Sequence, residues 1–167
     1  MVKAGNRSLA AAAILGALGA ALTVPGAASA AGKADPMVER GKYLVTIAGC
    51  NDCHTPGYGP SDGKVPEKDW LTGDMLGWRG PWGTTYAINL RNYMSKVSEA
   101  EWLKTARGLT ARPPMPAMNV RQMKDADLKA IYRYIRHLGP AGGEAPAYLP
   151  PDKTPNPPFV QFPAPPK

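Results

Sequence analysis

Both cysteines of this 167-residue chain fall within ten residues, AGCNDCHTPG at 48–57, and His54 follows the second directly. No other feature constrains the fold as tightly. Cys50 and Cys53 at this spacing admit a redox dithiol, half of a zinc site, or the attachment point of a haem. In an oxidising compartment two lone cysteines would also suggest a disulfide. A bridge across so small a loop removes little chain entropy, however, and leaves His54 without a purpose.

The first thirty residues bear on the compartment. Lys3 and Arg7 make a positive n-region, residues 9–24 form an apolar run rich in Ala, Leu and Gly, and Ala28 and Ala30 suit cleavage after Ala30. The run is shorter than the ~20 residues that a membrane span requires. The expectation is a signal peptide at 1–30 and a mature chain in the periplasm. Removing Lys3 and Arg7 leaves +5 of the formal +7 charge. Acids and bases mingle in EWLKTARGLTAR and KDADLKAIYRYIRHL, with no basic block interleaved with aromatics, which argues against nucleic acid as a partner. The excess charge serves solubility, or modest steering toward an acidic protein surface.

Three stretches carry helical signals. Asp35-Pro36 reads as an N-cap followed by proline at the first helical position, ahead of MVERGKYLVTIA. Gly41 inside that helix costs roughly 1 kcal/mol against alanine, which hints at a second helix passing close by. SEAE at 98–101 is a capping box, and Gly108 ends the helix it opens. Leu128, Ile131, Ile135 and Leu138 recur at helical spacing before Gly139-Pro140. Between the first and second helices lies a long Gly-, Pro- and Trp-rich stretch with no alternating run to support a sheet. Such a loop is out of place in a compact domain unless a large apolar ligand orders it. The expected organisation is a helical domain at 31–139 and a Pro-rich, extended C-terminal segment at 140–167. That segment either wraps the body through Tyr148, Phe159 and Phe162 or stays mobile.

The surroundings of the cysteines separate the candidates. A thioredoxin-like dithiol needs a strand before the motif and a helix after it; here a helix precedes and a Pro/Gly loop follows. A structural zinc site needs four ligands, and beyond Cys50, Cys53 and His54 only His137 remains, on a helix face between Arg136 and Leu138. Covalent haem needs C-x-x-C-H and nothing more: two thiols for thioether bonds and an imidazole for the iron. A methionine sulfur in the remaining axial position would make an electron carrier, whereas an open position would suit a gas-binding sensor. Met75, Met94 and Met123 read as core filler. Met115, stiffened by Pro113, Pro114 and Pro116, is the leading candidate for the sulfur, with Met118 its rival. A carbonyl should orient the other ring nitrogen of His54, with Pro60 and Pro66 as candidate donors of that oxygen.

Residues 38–139 resemble the class I c-type cytochromes. The stretches that carry the likeness are ERGKYLVTIAGCNDCHTPG, GPWGTTYAINLR and RPPMPAMNVRQMKDADLKAIYRYIRHLGP. The chain is similar to the monohaem domains that occur alone or as cytochrome subunits of periplasmic alcohol and sugar dehydrogenases. The resemblance implies an all-α cytochrome c fold, with N- and C-terminal helices crossing around one covalently bound haem c. The crossing would bring Gly41 near Ile131, Tyr134 and Ile135. It also implies a ligand methionine before a proline, which Met115 satisfies and Met118 does not. Trp82, Tyr86 and Arg91, with Arg79 in addition, become candidates to meet the haem propionates. The implied function is single-electron transfer, with a dehydrogenase upstream and an oxidase or other cytochrome downstream. No small-molecule substrate is expected, and the chain is not itself expected to be an enzyme. A haem subunit of a dehydrogenase complex is the alternative.

Overall fold

Asp35 starts the first helix by a local mechanism. In the computed structural model, which describes residues 35–164, its side chain accepts from the Met37 amide at 2.9 Å. Pro36 then opens α1 (Pro36–Ile47). The expected signal peptide at 1–30 lies outside the described residues. Gly49, in the left-handed region at φ 70°, turns the chain into the single turn α2 (Cys50–His54). After a 3-10 turn at Glu67–Asp69 come β1 (Gly77–Gly80), β2 (Gly83–Thr85) and α3 (Leu90–Lys96). The chain continues through α4 (Glu99–Arg107), α5 (Ala117–Gln122) and α6 (Asp125–Leu138) to β3 (Phe159–Gln161). Among the described residues no helix is long and apolar enough to cross a membrane.

The capping box closes as its residues require: the Glu101 amide donates to Ser98 Oγ at 3.2 Å, and the Ser98 amide donates to the Glu101 carboxylate at 2.7 Å. Gly108 ends α4 and Gly139 ends α6. The core is built where α1 crosses α6. A Cβ on Gly41 would stand 2.1 Å from the Ala130 carbonyl oxygen and 2.5 Å from Tyr134 Cβ. Hydrogen at this position lets the helices touch, which outweighs the helix propensity that glycine forfeits. Leu44 and Val45 of α1 meet Leu128, Ile131, Tyr134 and Ile135 of α6 in one buried cluster, joined by Leu71 and Met94. Trp102 joins from α4, its indole N–H donating to the Leu128 carbonyl at 2.8 Å.

The fold is mainly helical, but not wholly so. A three-stranded sheet in the order β2-β1-β3 corrects the all-α expectation. β1 pairs antiparallel with β2, with Trp78 opposite Thr85, and parallel with β3, with Trp78 opposite Val160. Strands of three and four residues are too short to show alternation, and β3 comes from about eighty residues downstream. The C-terminal segment runs along the body through this strand. Phe162 packs against Trp82 with ring centroids 5.3 Å apart and against Trp78 at 6.1 Å. The Tyr148 hydroxyl donates to the Trp82 carbonyl at 2.8 Å.

Candidate haem site

The cysteine motif is pinned from behind. Thr55 Oγ1 donates to the buried Asn51 side-chain oxygen at 2.8 Å and accepts from the Leu71 amide at 2.8 Å. The Gly73 amide donates to the His54 carbonyl at 2.8 Å. These bonds fix the turn, so Cys50, Cys53 and His54 all reach one cavity of about 660 Å³. Ligand pockets of roughly 300–1,000 Å³ bracket that size. Met94, Trp102, Ile131 and Ile135 give the cavity an apolar lining, and Trp78 and residues 85–88 bound another part of it. Met115, with Pro114 and Pro116 on either side, lines it as well.

His54 is buried, and its Nδ1 lies 2.8 Å from the Ile88 carbonyl oxygen. Ile88 thus supplies the oxygen, not Pro60 or Pro66; the partner comes from the segment leading into α3, where no local signal points. Burial pushes the His54 pKa below its ordinary value, and the bond to Ile88 opposes that only in part. The imidazole is therefore neutral, with its proton at Nδ1 and the Nε2 lone pair free to bind a metal. Both thiols are outside any disulfide. Burial raises the unattached Cys50 thiol to about 11, and it raises Cys53 as well. Among the described residues no group of three or more His, Cys, Asp and Glu is placed to hold a metal, so a zinc site lacks its ligands.

The two rival methionines are placed differently. Met115 lines the cavity, while Met118 is 59 % exposed and does not. The chain around Met115 turns at Pro113-Pro114 instead of running extended, and Thr85 Oγ1 donates to the Pro113 carbonyl at 2.7 Å. Of the residues expected at the propionates, Tyr86 lines the cavity; Trp82, Arg79 and Arg91 do not. Trp82 faces Phe162 at the far end of the hairpin. Arg91 is buried and donates to the Lys68, Leu138 and Gly139 carbonyls, tying a loop to the end of α6. Three of its five N–H groups are thus committed to the protein backbone, and the side chain takes no part in lining the cavity.

Two residues at the cavity carried no recognised signal. Trp78 lines it, and its buried indole N–H has no hydrogen-bond partner among the described residues. Pairing Trp78 with Thr85 across the hairpin turns both toward the cavity. Nothing in GWRGPWGT distinguishes Trp78 from Trp82. Arg112 also lines the cavity, its guanidinium 3.8 Å from the Tyr148 ring centroid. Two thiols, a neutral imidazole, a thioether, apolar walls and a buried N–H lacking an acceptor fit a haem with acidic side groups.

The cytochrome c family model matches residues 38–139. The chain belongs to the cytochrome c family. It therefore carries haem c, attached covalently through Cys50 and Cys53 of the C-x-x-C-H motif. Among curated proteins it is 29 % identical over 121 residues to one of the subunits of nicotinate dehydrogenase from Pseudomonas putida, covering 66 % of this chain and 9 % of that one. It is 26 % identical over 123 residues to the cytochrome c subunit of a quinone alcohol dehydrogenase from Gluconobacter oxydans, covering 67 % and 23 %. To the gluconate 2-dehydrogenase cytochrome c subunit of Pantoea cypripedii it is 29 % identical over 114 residues, covering 62 % and 23 %. The chain thus spans less than a quarter of the length of each of these relatives. No solved structure gives a significant match.

Proposed function

We infer that this cytochrome c is a periplasmic carrier of single electrons whose haem iron is ligated by His54 and Met115. The observation that carries this reading is the shared cavity. Its lining includes both thiols, the neutral His54 imidazole and the Met115 thioether, while Met118 stands outside in solvent. When bound, haem c supplies a one-electron iron couple.

The protein's own groups set the terms for that couple. The Ile88 carbonyl holds the proton at His54 Nδ1 and orients the ring. Apolar walls keep water from the cavity, which disfavours the more highly charged oxidised state and raises the potential. A thioether ligand acts in the same direction. The Trp78 N–H and the Arg112 guanidinium offer a donor and a positive charge to the acidic groups at the haem edge.

A second reading, in which the protein serves as the haem subunit of a dehydrogenase complex, is favoured by the relatives named above as dehydrogenase subunits. The electron donor would then be a dehydrogenase, and the acceptor an oxidase or another cytochrome. A redox titration of the purified haem-loaded protein followed by its absorbance tests the carrier role. A single one-electron wave is expected, with a ferrous spectrum unaltered by carbon monoxide. Carbon monoxide binding to the ferrous form would mean an open axial position and a gas-binding role. Stoichiometric co-purification with a dehydrogenase would favour the second reading over a free carrier.

A further inference from the structure

The family match ends at residue 139, yet the chain beyond it returns to the cavity. Residues 145–148 form part of the lining, beside Trp78, Tyr86 and Arg112. This stretch is fastened at both ends. On the upstream side Asn89, 2 % exposed, donates through Nδ2 to the Ala141 carbonyl at 2.7 Å and to the Gly143 carbonyl at 2.9 Å. Its Oδ1 meanwhile accepts from the Asn92 amide at 2.9 Å and caps α3. Gly142, at φ 72°, packs so closely that a Cβ would lie 3.1 Å from Thr72 Cβ and 3.3 Å from Asn89 Nδ2.

On the downstream side Leu149 exchanges two backbone hydrogen bonds with Thr84, of 2.7 and 3.0 Å. Gly83 makes this approach possible: its φ is 98°, and a Cβ there would stand 2.3 Å from the Leu149 carbonyl oxygen. Asn89 also immediately follows Ile88, the residue whose carbonyl orients His54. One buried amide side chain therefore connects the C-terminal segment to the carbonyl that holds the proximal imidazole.

We propose that residues 145–148, fastened through Ala141 and Gly143 on one side and Leu149 on the other, are a built wall of the haem cavity, and that Asn89 is the positioning residue linking this wall to His54. The proposal rests on the His54 and Met115 ligation inferred above. The wall keeps water and outside ligands from the cavity, and so helps hold the potential up and the sulfur ligand in place. Nδ2 is the group that does the linking, because an aspartate at position 89 would still cap α3.

The test uses the full-length haem-loaded protein with imidazole as the outside ligand, reading its affinity for the ferric form together with the midpoint potential. Asn89→Asp keeps the capping oxygen and loses both donors to the segment. Gly83→Ala drives Leu149 away at the other end, and Ser98→Ala removes the α4 cap far from the segment as a control for lost stability. Asn89→Asp and Gly83→Ala should each bind imidazole at least tenfold more tightly and show a lower potential, with Ser98→Ala matching the parent in both. Parent-like imidazole affinity in both segment variants would overturn the wall. Tighter binding in Gly83→Ala with a parent-like Asn89→Asp would overturn the link through Asn89. Equal loosening in Ser98→Ala would reduce the effect to general instability and overturn both. Should Asn89→Asp fail to fold, Gly83→Ala and Tyr148→Phe, which loses the bond to Trp82, carry the same expectation. A parent protein without the ferric sulfur–iron absorption band would instead mean that the ligation itself is wrong.

Discussion

Replacing Gly41 with alanine sets two effects of opposite sign against each other. In an exposed helix the change stabilises by about 1 kcal/mol, because alanine is the better helix former. Here the added Cβ would lie 2.1 Å from the Ala130 carbonyl oxygen and 2.5 Å from Tyr134 Cβ. Neither atom is the end of a flexible side chain, so α1 must move away from α6 by about 1 Å to reach ordinary contact. A gap of that size forfeits a quarter to a half of the dispersion energy of the atoms it separates. It would fall across Leu44, Val45, Ile131 and Tyr134, the centre of the core. Overpacking costs typically 1–3 kcal/mol, and a 2.1 Å approach to a main-chain oxygen belongs at the upper end, about 3 kcal/mol; subtracting the propensity gain of about 1 kcal/mol leaves a net loss of about 2 kcal/mol. For a domain of this size that lowers Tm by about 8 °C. Thermal unfolding of the haem-loaded protein, followed by circular dichroism, measures it. A Tm equal to or above the parent's would refute the close crossing, since propensity alone gives that result.

Other consequences are open to the same kind of measurement. Thr55→Val leaves the buried Leu71 amide without its acceptor and should cost about 1–3 kcal/mol in chemical denaturation; an unchanged midpoint would mean the bond contributes nothing. Burial alone would raise the Glu67 carboxyl, but hydrogen bonds from Lys42 and Tyr134 outweigh it and hold the pKa below the usual range. The stability it contributes is present above the unfolded pKa and is lost as pH falls through the lowered folded value. Glu67→Gln should therefore flatten the acid limb of the stability profile by less than about 1 kcal/mol, as the site is partly solvated; an unaltered limb would exclude Glu67 as its source. Tyr134 is raised, first by burial and then by Glu67, so its contribution is lost above pH 10 and Tyr134→Phe should weaken that alkaline loss. Trp78→Phe should lower the stability of the haem-loaded protein by about 1–2 kcal/mol if the indole N–H meets an acidic group of the cofactor, and no change would leave that donor without a function.

Features governed by neighbouring residues were legible in the sequence. Asp35, Ser98 with Glu101, and the Gly139 stop act through bonds a few residues long. The spacing of Cys50, Cys53 and His54 is dictated by the covalent chemistry itself. Gly41 was legible for another reason, since its cost within a helix required a close neighbour to offset it. What was hidden depends on contacts distant in sequence. Ile88 meets His54 because one loop folds back on another, and β3 pairs with β1 from the far end of the chain. Trp78 and Trp82 differ only by the register of a short hairpin. Arg91 is drawn to carbonyls left at the end of α6, a demand that appears only once the helix has docked. Composition suggested that the Pro-rich segment is extended, but not that it lines the cavity.

The pairing of His54 with Met115 on one iron is the central claim, and the ferric absorption spectrum tests it most directly. The weak long-wavelength band from sulfur–iron bonding should be present in the parent, lost in Met115→Ala and retained in Met118→Ala. A band that survives in Met115→Ala, or disappears in Met118→Ala, would contradict it.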